Sequence, residues 1–112
     1  MEQIDPKKLV ENAEKASKLL KTMSHPSRLM VLCHLMNGEQ PVSALNEAIP
    51  LSQSALSQHL GVLREADLVD TRRESQAIHY RLNSKAVSRI LDALYRIYCI
   101  PNNKEQRLRT VN

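Results

Sequence analysis

The sequence predicts a mainly α-helical fold with one small β-hairpin, and three observations predict it. The apolar residues, 42% of a 112-residue chain, are chiefly Leu, Ile, Val, Met and Ala, with three Tyr and neither Phe nor Trp. That palette suits helix packing better than a β-sandwich. Only two glycines occur, Gly38 and Gly61, in no Gly-rich run, so there is no phosphate-cradling loop and no dinucleotide fingerprint. The apolar period is about 3.6 up to Asp67, changes to 2 across the next fifteen or so residues, and then returns to 3.6. The length suggests a single domain with a modest core. It spans residues 1–112, with an ordered part from about 6 to 100 and a polar, flexible tail at 101–112.

Each element follows from local signals. Asp5 and Pro6 read as an N-cap and a first-turn proline. Leu9, Ala13, Ala16, Leu20 and Met23 then recur at helical spacing. "SHPSR" opens a second helix with Pro26 in its first turn. Leu29, Leu32, Cys33 and Met36 form its expected apolar stripe, and Asn37-Gly38 ends it. A short third helix runs from about Val42 to Ile49, with Val42, Leu45 and Ile49 inward, and Pro50 stops it. Ser52 caps a fourth helix. "LVDTRRE" and "AIHYRL" read as two strands turning near Ser75-Gln76, with Val69 and Thr71 on one face and Ile78, Tyr80 and Leu82 alternating. A last helix starts near Ser84 and carries Val87, Ile90, Leu91, Leu94 and Tyr98 as a stripe, with Pro101 ending it. The order is helix, helix, helix-turn-helix, hairpin, helix: a winged helix-turn-helix (α-α-α-α-β-β-α) with a helix added at each end. The central unit is too small to cover the stripes of both outer helices, so a symmetric dimer through the first and last helices is expected.

The fourth helix, in "PLSQSALSQHLGVLREAD", carries four small polar side chains where a solvated face would more usually carry Glu and Lys. At about 100° per residue, Gln53, Arg64, Ser57, Gly61, Ser54, Glu65 and Gln58 fall on one arc. Val62, Ala55, His59, Leu63, Leu56 and Leu60 fall on the opposite one. Ser and Gln donate and accept hydrogen bonds, and Gln pairs bidentately with adenine in the major groove. The N-terminal half of a recognition helix meets base edges, and Gln53, Ser54, Ser57 and Gln58 occupy that half. The plainer reading is a solvated face of weak helix formers. His59 falls within the apolar arc and reads as a packed histidine holding a backbone or side-chain group.

Charge points the same way. The net charge is +4; residues 1–50 balance six Lys/Arg against six Asp/Glu, and residues 51–112 hold ten against six. The excess therefore lies in the half that carries the Ser/Gln helix and favours a polyanionic partner. Arg72 and Arg73 approach the hairpin tip and Arg81 returns beside them, a basic wing able to grip phosphates. Double-stranded DNA with an inverted repeat, read by a homodimer, is the expected partner. No apolar run approaches bilayer length and the N-terminus lacks a signal-peptide pattern. A cytoplasmic protein with reduced cysteines, no membrane association and no cofactor is expected. No Ser/His/Asp set, base-activated Cys or paired carboxylates suggest an enzyme.

On these residues the chain resembles the ArsR/SmtB family of bacterial winged-helix regulators across about residues 8–99. "LLKTMSHPSRLMVLCHL", "LSQSALSQHLGVLREADLV" and "TRRESQAIHYRL" carry the resemblance. It departs from the family in having Ser-Gln rather than Gly at the wing tip. The resemblance implies a dimer that represses by operator binding until an inducer is sensed. Many members sense metals, but the thiolate pair expected on the third helix is absent from "PVSALNEAI". The last helix offers Asp92 and no His, and His25, His34, His59 and His79 lack paired ligand spacing. No metal site is expected. On the residues alone, Cys33 reads as a packed core position beside Leu29 and Met36. Cys99 lies at a helix end, with Arg96 one turn back, and is less core-like. Their placement and flanks, "LCHL" and "LYRIYC", resemble the sulfur- and redox-sensing branch of the family. In that branch the two cysteines are linked by a disulfide or a polysulfide bridge, which implies release from DNA on linkage. Competing readings are an activator that displaces a silencing protein from DNA, a metal-responsive repressor, and a protein-interaction module.

Overall fold

A computed structural model of the chain describes residues 3–100; the tail at 101–112 and the helix-ending role of Pro101 lie outside the described residues. The elements are α1 (Pro6–Met23), α2 (Pro26–Leu35), β1 (Gln40–Pro41), α3 (Val42–Ala48), α4 (Gln53–Glu65), β2 (Val69–Glu74), β3 (Ala77–Leu82) and α5 (Lys85–Tyr98). This is the mainly α winged helix-turn-helix expected, with one strand more. β1 is two residues long and pairs antiparallel with β3, so the wing is a three-stranded sheet in the order β1-β3-β2. A two-residue strand has no period of its own, and it exists because Gln40 and Pro41 meet Tyr80 and His79 across the sheet.

The helix starts are set by side chains that satisfy orphan amides. Asp5 accepts from the Lys7 amide, Ser52 from Ala55 and Ser84 from Val87. The cap of α2 is His25, whose Nδ1 accepts from the Ser27 amide at 3.1 Å. The hairpin turns at Ser75-Gln76, between the Glu74 and Ala77 pair. Ser75 takes a left-handed φ of 56°, where hairpin turns favour Gly, Asn or Asp. The departure at the tip is thus accommodated by one residue in an uncommon conformation, and the hairpin is intact.

The core is Met23, Val31, Leu32, Leu35, Leu45, Ile49, Leu56, Leu60, Leu63, Leu68, Val69, Val87 and Leu91. It lies where α2, α3, α4 and the sheet meet. One expectation is corrected here. Cys33 and Met36 are exposed, and α2 buries Val31, Leu32 and Leu35 instead. From Leu29 to Met36 this helix is apolar at every position but His34, so periodicity could not choose its inward face; packing against α4 and β3 does. The third helix ends at Ala48, and Ile49 is its buried C-cap.

Candidate nucleic-acid interface

α4 is held at both ends and along one face. Ser52 Oγ accepts from the Ala55 amide at 3.2 Å. At the other end the Asp67 amide donates to Arg64 O and the Leu68 amide to Leu63 O, both at 3.0 Å, with Asp67 at φ 61°. That is a Schellman motif with Asp where Gly is usual. It leads α4 directly into β2. Leu56, Leu60 and Leu63 are buried. The opposite arc carries Gln53, Ser54, Ser57, Gln58 and Arg64, all exposed. Ser54 Oγ lies 3.4 Å from Ser52 Oγ, while the side chains of Gln53, Ser57, Gln58 and Arg64 have no partner among the described residues. Arg64 stands about 16 Å along the axis from Gln53. The structure therefore brings the four small polar residues together at one end and places Arg64 at the other.

His59 does hold a neighbour. Its Nδ1 accepts from Arg28 Nε at 3.3 Å, and Arg28 Nη1 donates to Thr22 O at 3.0 Å. The His25 ring lies 4.4 Å away, centroid to centroid. Burial first, then the His25 and Arg28 charges, push the His59 pKa below its ordinary value, which keeps the imidazole neutral and accepting. This cluster ties α4 to α2 and to the end of α1.

The wing splits the two arginines that the sequence groups together. Side chains alternate along a strand and cross-strand partners share a face. Arg72 pairs with His79, and Asp70 with Arg81, so these four share one face with Glu74. Arg73 pairs with Ile78 and shares the other face with Val69 and Tyr80, the side that meets the core. On the first face Arg72 donates to Glu39 at 2.8 and 3.3 Å and to Glu74 at 2.9 Å. Arg81 pairs with Asp70 at 3.2 Å. The Arg72 hydrogen bond holds the Glu39 carboxyl below its usual range, with His79 and Arg81 adding to it; Glu39 and Glu74 in turn raise Arg72. Arg73 has no partner among the described residues. Between α4 and the wing lies an open groove of about 650 Å³, its wall including Ser43, Asn46, Gln53, Ser57, Ile78 and Tyr80. Asn46 Oδ1 is buried without a hydrogen-bond partner among the described residues.

Cys33, on α2, and Cys99, the C-cap of α5, are both free and exposed. Partial burial raises the Cys33 pKa, and the neighbouring charge of Cys99 raises it further. Cys99, 66 positions away in sequence, therefore lies near enough in space to bear on Cys33. Arg96, one turn before Cys99, is engaged with Asp92 at 3.0 Å. Among the described residues no group of three His, Cys, Asp or Glu could hold a metal ion, and no helix is long and apolar enough to cross a membrane.

Residues 25–71 match the family described as "Bacterial regulatory protein, arsR family". The chain is 48% identical over 91 residues to a biofilm growth-associated repressor of Agrobacterium fabrum, covering 81% of this chain and 78% of that protein. The chain belongs to the ArsR family. This ArsR-family protein is also 46% identical over 92 residues to the transcriptional activator HlyU of Vibrio cholerae, covering 82% of this chain and 85% of that one. The structure of reduced HlyU from Vibrio cholerae matches with a TM-score of 0.80 at 44% identity, over 83% of this chain and 98% of that one. It is accordingly a DNA-binding transcriptional regulator and not an enzyme, from a family whose members typically bind operator DNA as dimers.

The sequence reading missed Arg28, His25, Glu39 and Asn46. Glu39 and Arg72 are 33 positions apart, and Arg28 and His59 are 31 apart; nothing local announces either pair.

Proposed function

We propose that the chain is a homodimeric, single-domain cytoplasmic repressor whose hold on an inverted-repeat operator is broken when Cys33 and Cys99 are linked. The observation that carries this reading is that the chain's only two thiols are both free and exposed, one on the helix supporting the helix-turn-helix and one at the end of the helix proposed to join the dimer, with Cys99 bearing on Cys33. Gln53, Ser54, Ser57 and Gln58 read base edges, and Arg64, Arg72 and Arg73 meet phosphates. Two recognition helices must stand one turn of DNA apart, about 34–36 Å. A link that shifts α5 against α2 changes that spacing on both sides of the dimer axis at once.

The linking chemistry balances with a polysulfide as oxidant. One thiolate attacks a sulfane sulfur and expels the shorter polysulfide, leaving a persulfide. The second thiolate attacks the inner sulfur of that persulfide and expels hydrosulfide, leaving a disulfide. Two thiol protons pass to solvent and two electrons to sulfur. A bridge that retains extra sulfur spans a wider gap than the roughly 7 Å between Cα atoms that a disulfide allows.

Mass spectrometry after separate peroxide and polysulfide treatment, with anisotropy of labelled operator in parallel, tests the reading. Cys33→Ser and Cys99→Ser should each keep DNA binding and lose the response. Normal release of DNA by either single variant on polysulfide treatment would exclude the pair as the switch. The name of HlyU as an activator supports a second reading, in which the same contacts displace a silencing protein. The position of the site relative to the promoter separates the two.

A further inference from the structure

We infer that Glu39 is an internal competitor for DNA phosphate: it occupies the wing arginine Arg72 in the free protein and yields it to the sugar-phosphate backbone on binding. Arg72 reaches across the sheet, over β3, to take both oxygens of the Glu39 carboxylate, at 2.8 and 3.3 Å. A carboxylate and a phosphodiester offer the guanidinium fork the same two-oxygen acceptor, so one can replace the other without a change in the donor's geometry. Both side chains are open to water, 45% exposed for Arg72 and 31% for Glu39, so the exchange requires no unfolding. When Arg72 leaves, Glu39 is not left alone: His79 and Arg81 also bear on its carboxylate. Glu74, the second acceptor for Arg72, is still more exposed, at 62%. Arg73, its chain neighbour on the opposite face, has no acidic partner among the described residues.

The consequence is a lower affinity for backbone. An arginine that must give up a carboxylate before it can take a phosphate adds less to binding on any sequence than a free one. A regulator faces a great excess of non-specific sites, and a muted wing lowers the hold on all of them while leaving discrimination to base contacts. Glu39 is a positioning residue in this scheme, acting through Arg72 and touching no DNA itself.

This inference rests on the chain binding DNA as proposed above, and the experiment separates the two. The probe is a labelled duplex of mixed sequence, titrated with wild type, Glu39→Gln, Arg72→Ala, the double variant, and Asp70→Asn as a control. Asp70→Asn removes one negative charge from the same face but frees Arg81 rather than Arg72. Exposed ion pairs are worth a factor of up to about five, so Glu39→Gln should tighten binding by a factor in that range per engaged wing. In the Arg72→Ala background the same change should do no more than Asp70→Asn does. An equal gain with and without Arg72 would reduce the effect to bulk charge and overturn the proposal. A loss of affinity accompanied by a lower Tm would make the pair a structural strut and overturn it equally. A wild type that shifts no duplex at any salt concentration would instead sink the operator-binding reading itself.

Discussion

Arg72 and Arg73 are chain neighbours with opposite surroundings, and strand alternation is the reason. Arg73→Ala should therefore cost more affinity than Arg72→Ala, because Arg73 gives up no internal partner to meet a phosphate. With two wings engaged, the slope of log K against log salt should fall by about 1.8. An unchanged slope would remove Arg73 from the interface. Gln53 and Ser57 differ from both arginines in kind. Each loss to Ala should cost on the order of 1–3 kcal/mol on the operator and little on mixed sequence. Equal losses on both duplexes would argue against base reading. His59 carries a different consequence. Its folded pKa lies below its unfolded one, so as pH falls the unfolded chain takes the proton first. The Arg28–His59 contact contributes fully above about pH 6.5, and its contribution is lost as pH falls through the folded pKa. His59→Gln keeps an acceptor for Arg28 and cannot titrate. The urea midpoint of wild type should drop more than that of His59→Gln between pH 7.5 and 5.5. Parallel profiles would show that another group sets the pH dependence.

The helix starts at Asp5, Ser52 and Ser84, the hairpin turn and the polar arc of α4 were all legible, because each depends on residues a few positions apart. Three features were not legible. The inward face of α2 is chosen by what packs on it, since the helix is apolar nearly all round. β1 exists only through its pairing with β3. The Glu39–Arg72 and Arg28–His59 contacts join residues more than thirty positions apart. Asp67 stands between these cases: the end of α4 near it was expected, but its left-handed conformation was not. It is the point through which the reading helix passes into the wing, so its backbone sets their relative direction. Asp tolerates this region, whereas a β-branched residue is a steric outlier there. Asp67→Val should destabilise by about 1–2 kcal/mol and lower affinity on every duplex, since helix and wing would lose their common frame. A Tm within error of wild type would show that the turn does not need this conformation.

The molecule is not shaped like an isolated globule. Its radius of gyration is 16.7 Å, against about 13 Å for a compact domain of this size. α1 runs 18 residues and fully buries only Met23, although helices in proteins draw most of their stability from packing an amphipathic face. Leu9, Val10 and Leu20 on α1 and Tyr95, Ile97 and Tyr98 on α5 are exposed, and burying such side chains returns about 1.5–3 kcal/mol each. A second copy of the chain, brought up about a two-fold axis, presents the same faces in return and would cover them. Leu94 lies on α5, half-buried in one chain, so a charge there is tolerable in a monomer but would be desolvated in a dimer. Leu94→Glu should sediment at the mass of one chain where wild type sediments at two, and should keep its helical circular dichroism apart from some loss in α1. Its operator affinity should fall far more than its affinity for a single half-site, because only the dimer gains from both recognition helices at once. A monomeric wild type that binds the full operator tightly would defeat this account. It would also remove the mechanism by which a link at Cys99 reaches the DNA, since a monomer has no spacing to disturb.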